Sequence, residues 1–216
     1  MRTIDASDRS LLLVFDDRIS PAAHGDVLRL TPLLQSVRGV TNVHPAYASI
    51  LIDFDPLAMA HRHVERAAAE LLAQAAAAPL PDPRTVEIPV AYGGDYGPDL
   101  AAVATLTGHT PDEVVALHSS AEYLVYFLGF SPGFPYLGGL PDSIAAPRLE
   151  TPRRRVPAGS VAIGGRQTGV YPMASPGGWR IIGRTALHLF DPRADPPALL
   201  RMGDRVRFVP ITKGSI

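Results

Sequence analysis

Apolar and polar positions change their rhythm part-way along this chain. Leu11-Leu12-Leu13-Val14-Phe15 is a short apolar run closed by Asp16-Asp17, the mark of a buried strand. A helix is predicted from Pro21, with Ser20 as N-cap and proline in a first turn where its missing N–H costs nothing. Pro32 is expected to break or kink that helix. Val40 to Val43 and Ser49 to Asp53 read as two strands around a Pro45-Ala46-Tyr47 turn. Asp55-Pro56 then opens an alanine-rich helix to about Ala78, because alanine is the strongest helix former. With Val86 to Val90 added, the order strand, helix, strand, strand, helix, strand is ferredoxin-like.

Pro79-Leu80-Pro81-Asp82-Pro83 is the expected linker, since closely spaced prolines forbid regular structure. It divides the chain into an N-terminal α/β domain, residues 1–83, and a second domain, residues 84–216. Beyond the linker one helical pair is predicted, Asp99 to Thr107 and a helix opened by Thr110-Pro111-Asp112-Glu113. The second start has an N-cap threonine, an N1 proline and a glutamate placed for a capping box, and its last turn holds His118. From Tyr123 onward the pattern is strands and turns. Tyr123 to Leu128, Ser160 to Ile163, Arg180 to Gly183, Ala186 to Phe190 and Val206 to Val209 are the strands, with Gly203-Asp204 turning into the last. The class is α+β, and an antiparallel barrel or sandwich fits the second domain.

Composition narrows the functions. Of 216 residues, 46% are hydrophobic and 19% charged, and the formal net charge of -1 gives no basic field for nucleic acid or anionic lipid. The absence of cysteine removes disulfides, thiolate metal sites and thiol nucleophiles. The opening residues carry acids and no long apolar run before Leu11, so no secretory signal is expected and the cytoplasm is the default location.

Several motifs fail on their own chemistry. Gly129-Phe130-Ser131-Pro132-Gly133 has the letters of a nucleophile elbow, but Pro132 has no N–H to give to an oxyanion hole and no helix can follow. Gly159 to Gly164 has the glycine spacing of a phosphate loop, with Gly165 where lysine belongs and no helix after it. Any nucleotide must be held another way, or by another chain. His61 and His63 sit two apart on a helix and point in different directions, so no protein-bound metal is expected.

Three features hold more interest. His118 lies near a helix C-terminus, where capping carbonyls is the ordinary role of a histidine. Arg148, Arg153, Arg154 and Arg155 cluster in a proline-stiffened stretch; guanidinium forks bind carboxylate and phosphate oxygens, although such charge runs are more often solvated. Ser175-Pro176-Gly177-Gly178-Trp179 holds the only tryptophan beside a glycine pair that lets backbone approach a ligand or a neighbouring strand.

Read together, His118-Ser119-Ser120, Gly129 to Gly138, Pro157 to Gly165, Gln167 to Pro172 and Pro176 to Gly183 resemble the allophanate hydrolase subunit 1 family. Leu149 and Ala46 are small departures, standing where relatives often carry arginine and glycine. The resemblance implies a cyclophilin-like antiparallel β-barrel behind a small ferredoxin-like domain. It implies ATP-dependent opening of 5-oxo-L-proline to L-glutamate, in complex with two further 5-oxoprolinase subunits, designated C (of homologous cyclophilin-like fold) and A. The chain alone would be inactive, and its site would be shared with the first of these. Under that reading His118 is the acid–base group, while Arg153 and Arg148 take carboxylate or phosphate. Phe130, Pro132, Gly133, Phe134 and Tyr136 form one wall, and Ser175, Pro176, Gly177, Gly178 and Trp179 the other. Two other branches give alternatives: a non-catalytic inhibitor of a sporulation-type histidine kinase, or a carboxyltransferase component of urea metabolism. Peptidyl-prolyl isomerase activity is not expected, because function belongs to the site and not the scaffold.

Overall fold

A computed structural model describes residues 1–76, 80 and 82–212. The chain divides into two units, Met1–Asp82 and Pro83–Ile216. Ala77 and Ala78 of the expected helix end, and Pro79 and Pro81 of the expected linker, lie outside the described residues.

The first unit runs β1 (Arg2–Ser7), β2 (Ser10–Val14), α1 (Pro21–Gln35), β3 (Val40–Pro45), β4 (Ser49–Phe54) and α2 (His61–Ala75). Its sheet has the order β1-β2-β4-β3, every neighbour antiparallel. Alternation decides which face is covered: Leu11, Leu13, Ile50, Ile52 and Phe54 are buried with Val27, Leu30 and Leu34 of α1 and Val64 and Ala68 of α2. Each large aliphatic side chain buried in this way contributes about 1.5–3 kcal/mol. Ser20 caps α1 as its sequence predicts, Oγ accepting from the Ala23 N–H at 3.2 Å. Pro32 does not end α1: only three residues follow it in the helix, so a single backbone bond is lost. α2 begins at His61, later than expected, because Asp55 accepts from Leu57 N–H and makes a turn instead. Its cap is partial, Ala60 N–H donating to His63 Nδ1 at 3.1 Å. Val86 to Val90, expected to close this sheet, belongs to the second unit, and the polar edge strand β1 takes its place.

The second unit opens with β5 (Thr85–Tyr92), α3 (Leu100–Thr107) and α4 (Pro111–Ser120). The rest is β6 (Tyr123–Leu128), β7 (Pro135–Gly138), β8 (Arg153–Val156), β9 (Ser160–Gly164), β10 (Gln167–Val170), β11 (Ser175–Gly177), β12 (Arg180–Arg184) and β13 (Arg205–Pro210). Seven strands close a barrel in the order β10-β7-β6-β13-β5-β12-β9, and β8 and β11 form a separate two-stranded ribbon. The barrel is not wholly antiparallel: β13 pairs with β5 in parallel, as the first and last strands of the unit meet after the whole intervening chain has crossed over. Arg84 fixes that junction, with Nη2 at 2.6 Å from Asp204 Oδ2 in the turn before β13. Ala186 to Phe190 is not a strand; Phe190 makes only an isolated bridge to Ala198. The α4 capping box forms as read, with Thr110 N–H donating to Glu113 and Glu113 N–H to Thr110. No helix among the described residues is long and apolar enough to cross a membrane.

Candidate functional site

The barrel unit holds two apolar clusters. The larger fills the barrel, while the smaller gathers Phe134, Val156, Ala162, Tyr171, Trp179 and Ile181 beneath the β8–β11 ribbon. Trp179 can lie here because Gly164 has no side chain: a Cβ there would come within 2.6 Å of the indole. Phe134 meets Trp179 and Tyr171 edge to face, with ring centroids 5.6 and 5.4 Å apart. Two hydrogen bonds draw the Arg148 loop over the indole. Leu149 N–H donates to the Gly178 carbonyl at 2.7 Å, and Arg180 Nε to the Pro147 carbonyl at 2.8 Å. The Arg148 guanidinium then stands 5.6 Å from the Trp179 ring centroid, in cation–π range.

These walls enclose a cleft of about 240 Å³ lined by Phe130, Phe134, Tyr136, Arg148, Pro152, Tyr171, Pro176, Gly177, Gly178 and Trp179. Eight of the expected site residues therefore line one cleft. Pro132 and Gly133 line an adjoining hollow that shares Phe130 with it, while Arg153 and Ser175 line neither. Tyr171 and Pro152 are added by the structure. Phe130 is the exposed aromatic of the cleft, at 63%, and holds a left-handed φ of 65° that a side chain tolerates at a cost. A larger hollow of about 910 Å³ lies beside α3 and α4, but among the described residues its only charged lining residue is Asp112 and it holds none of the expected site residues. Chemistry favours the smaller cleft.

Arg153 sits on β8 directly opposite Gly177, and Val156 opposite Ser175. Its Nη2 donates to Asp99 Oδ1 at 2.7 Å, and Asp99 Oδ2 accepts from the Ile181 N–H at 2.7 Å. Burial pushes the Tyr171 phenol up, opposed by a hydrogen bond with the Trp179 backbone and by the Arg148 and Arg153 charges. Both charges are thus felt at the Tyr171 hydroxyl; Arg153 is half-buried, while Arg148, Arg154 and Arg155 are exposed.

His118 is elsewhere. It is fully buried in the barrel core and lines none of these hollows. Its Nδ1 is 2.8 Å from the Tyr92 hydroxyl and its Nε2 is 2.9 Å from Thr168 Oγ1. Thr168 donates its own proton to the Ala162 carbonyl at 3.0 Å. It must therefore accept from His118, which fixes the Nε2–H tautomer and leaves Nδ1 to accept from Tyr92. Burial lowers the imidazole pKa to about 3. The acid–base role expected of His118 needs contact with a substrate, and this neutral, doubly committed ring has no exposed atom to offer.

A family model described as carboxyltransferase domain, subdomain C and D, matches residues 1–200. The chain belongs to this family. Within it, the chain is 47% identical over 208 residues to the B subunit of 5-oxoprolinase from Escherichia coli O157:H7, covering 96% of this chain and 94% of that protein. It is 42% identical over 219 residues to the B subunit of 5-oxoprolinase from Bacillus subtilis (strain 168), covering 95% and 91%. Among solved structures of the same fold, TTHA0988 matches at a TM-score of 0.84 and 39% identity over 94% of this chain. The chain spans 40% of the length of that protein. Urea carboxylase of Kluyveromyces lactis matches at a TM-score of 0.77 over 98% of this chain and 22% of its own, and at 20% identity it shares the fold alone.

No group of three or more His, Asp or Glu among the described residues is gathered to hold a metal ion. The smaller cleft is also too tight for a nucleotide. The cleft of about 240 Å³ falls below the roughly 300 Å³ at which drug-sized pockets begin. Ser160 to Gly164 is a barrel strand, so the glycine run there opens no helix to cradle phosphates.

Proposed function

We propose that this chain is the B subunit of an ATP-dependent 5-oxoprolinase complex, which hydrolyses 5-oxo-L-proline to L-glutamate with release of ADP and phosphate. The observation that carries the reading is the cleft: small, aromatic-walled, lined by Arg148 and within reach of the Arg153 charge, it suits a compact ring bearing one carboxylate. The 5-oxoprolinase relatives, similar over nearly their whole length, support the same assignment. The urea carboxylase likeness carries no substrate with it, and nothing favours a kinase inhibitor.

In this reading the aromatic walls exclude water and orient the lactam ring. Arg148 and Arg153 hold its carboxylate or stabilise charge that develops as the amide opens. ATP, when bound by the complex, supplies activation of the lactam carbonyl. His118 supports the barrel. The C subunit, of homologous cyclophilin-like fold, completes the cleft, and the A subunit is required for turnover, all within the cytoplasm. We take residues 1–83 as a ferredoxin-like domain and residues 84–216 as a cyclophilin-like barrel domain. The test is reconstitution. The chain mixed with the A and C subunits, ATP and 5-oxo-L-proline yields glutamate, and omission of any component abolishes it. A complete mixture that forms no glutamate refutes the assignment.

A further inference from the structure

Three buried polar atoms of the barrel unit have no hydrogen-bond partner among the described residues: Arg153 Nη1, Ser175 Oγ and Ser131 Oγ. Buried donors are nearly always paired, so each unpaired one asks for a cause. Two of the three belong to the β8–β11 ribbon, and a bulge there, three steps on β8 against two on β11, brings them to one face. Residues directly opposed in an antiparallel pair project to the same side. Ser175 opposes Val156, and Val156 is buried in the aromatic cluster with Trp179 and Tyr171. Gly177 opposes Arg153, and a Cβ on Gly177 would run into the Tyr171 hydroxyl. Arg153 and Ser175 therefore both turn toward the cluster that floors the cleft.

The Arg153 guanidinium is anchored from behind. Asp99 lies just before α3 and is 7% exposed. It grips two elements at once, receiving Arg153 Nη2 on Oδ1 and the Ile181 N–H on Oδ2, each at 2.7 Å, while its own N–H donates to the Ile181 carbonyl at 2.9 Å. These contacts of a carboxylate and its backbone with one strand and one side chain leave the guanidinium little freedom to rotate. A planar fork held along one edge presents its remaining nitrogen in a fixed direction.

We infer that Asp99 is a positioning residue: it holds Arg153 behind the aromatic floor of the cleft so that Nη1 and the Ser175 hydroxyl, shielded from solvent in this structure, seat the carboxylate of a small acid when one enters. The inference rests on the small-acid reading of that cleft. Arg148 caps the ring from above the indole, and the seat below fixes the ligand's charged end. Asp99 touches no ligand and acts only through Arg153.

Trp179 is the chain's only tryptophan, so its fluorescence reports on this cleft. The full-length chain is titrated with 5-oxo-L-proline, with 2-pyrrolidinone (the same ring without the carboxylate) and with inorganic phosphate. Wild type responds saturably to 5-oxo-L-proline and not to 2-pyrrolidinone. Asp99→Asn and Arg153→Ala each weaken binding about tenfold or more, as loss of a charge-assisted bond would. The double variant binds no worse than Arg153→Ala alone, because the two act as one unit. Should Asp99→Asn not fold, Arg153→Lys serves instead: an ammonium cannot hold Asp99 and an anion in the same fork, and its affinity falls likewise. Unchanged affinity in Asp99→Asn, additive losses in the double variant, or an equal response to 2-pyrrolidinone would each overturn the inference. So would silence toward every anion. A response to phosphate that both substitutions abolish, with none to 5-oxo-L-proline, keeps the seat and removes the substrate assignment.

Discussion

Two buried polar clusters in the barrel unit obey opposite rules. Around His118 the Tyr92 hydroxyl, both ring nitrogens, the Thr168 hydroxyl and the Ala162 carbonyl form an unbroken chain of donors and acceptors. Around Arg153 the chain stops short, leaving Nη1 and the neighbouring Ser175 Oγ unpaired. A closed network rigidifies a core and has nothing left to offer a ligand; an open one carries its desolvation cost until something binds. The contrast separates two residues that chemistry alone would place together, an imidazole and a guanidinium in one family of motifs. On the proposed reading, His118 belongs to the fold and Arg153 to the site.

The strongest way to break this contrast is to remove each residue in turn. His118→Ala deletes a fully buried ring that lies 4.5 Å from the Phe208 ring centroid, and strips the Tyr92 hydroxyl of its acceptor. Cavity and orphaned donor together cost about 3–4 kcal/mol, to be read as a lower urea midpoint. The surviving folded fraction keeps its affinity for 5-oxo-L-proline, and a specific loss of affinity would return His118 to the site. Arg153→Ala acts on the site as well. Turnover per folded molecule of the reconstituted complex falls about 100-fold, some 2.7 kcal/mol, and stability is lost too because the buried Asp99 carboxylate loses its partner. Normal turnover per folded molecule would assign Arg153 to the fold.

Acid sharpens the comparison further. His118 stays neutral in the fold down to about pH 3, whereas in the unfolded chain it protonates near 6.5. Between those values the unfolded state binds the extra proton, so stability rises with pH and is lost as pH falls below 6.5. Its ionisable ring neighbours, Tyr92 and Tyr123, are phenols pushed up by burial and remain neutral throughout. At pH 5 the loss from His118 is about 2 kcal/mol. In the first unit buried His24, lowered to about 4, adds its own loss of the same sign. Urea midpoints at neutral pH and at about pH 5 measure the difference. A pH-independent midpoint in this range means that His118 reaches water.

Much of this was legible where the physics is local. Ser20 and Thr110 declare their helix starts because an N-cap and a capping box need only neighbouring residues. The Phe130 and Pro176–Trp179 stretches stand out as stiff, aromatic and glycine-rich, and the fold brings them to one cleft. What stayed hidden is long-range. Arg2–Ser7 is an exposed edge strand with no apolar alternation to betray it. Arg153–Val156 looks like a solvated charge run until Ser175–Gly177 pairs with it. Val86 to Val90 carries no mark telling the first sheet from the barrel. Asp99 reads only as the polar residue before an apolar helix, and its hold on Arg153, 54 positions away, has no local sign. Burial, which decides what His118 does, is a property of the whole barrel.

The smallest expected effect concerns the exposed side of the cleft. Phe130 is the only described residue other than glycine with a positive φ, and its ring, 63% exposed, leans edge-on toward Phe134 at 5.4 Å. Burial does not hold it there, and the left-handed backbone costs about 1 kcal/mol that glycine would not. Phe130→Gly should therefore raise or leave unchanged the unfolding free energy, by no more than about 1 kcal/mol, since relief of strain is offset by a looser unfolded chain. The same change removes one wall of the cleft, so binding of 5-oxo-L-proline weakens several-fold, as loss of ring contact predicts. Stability and affinity moving in opposite directions would mark Phe130 as strained for its ligand, in line with the open cluster beneath it. If affinity holds and stability falls, the ring is packing material, and the open character of the cleft ends at the ribbon.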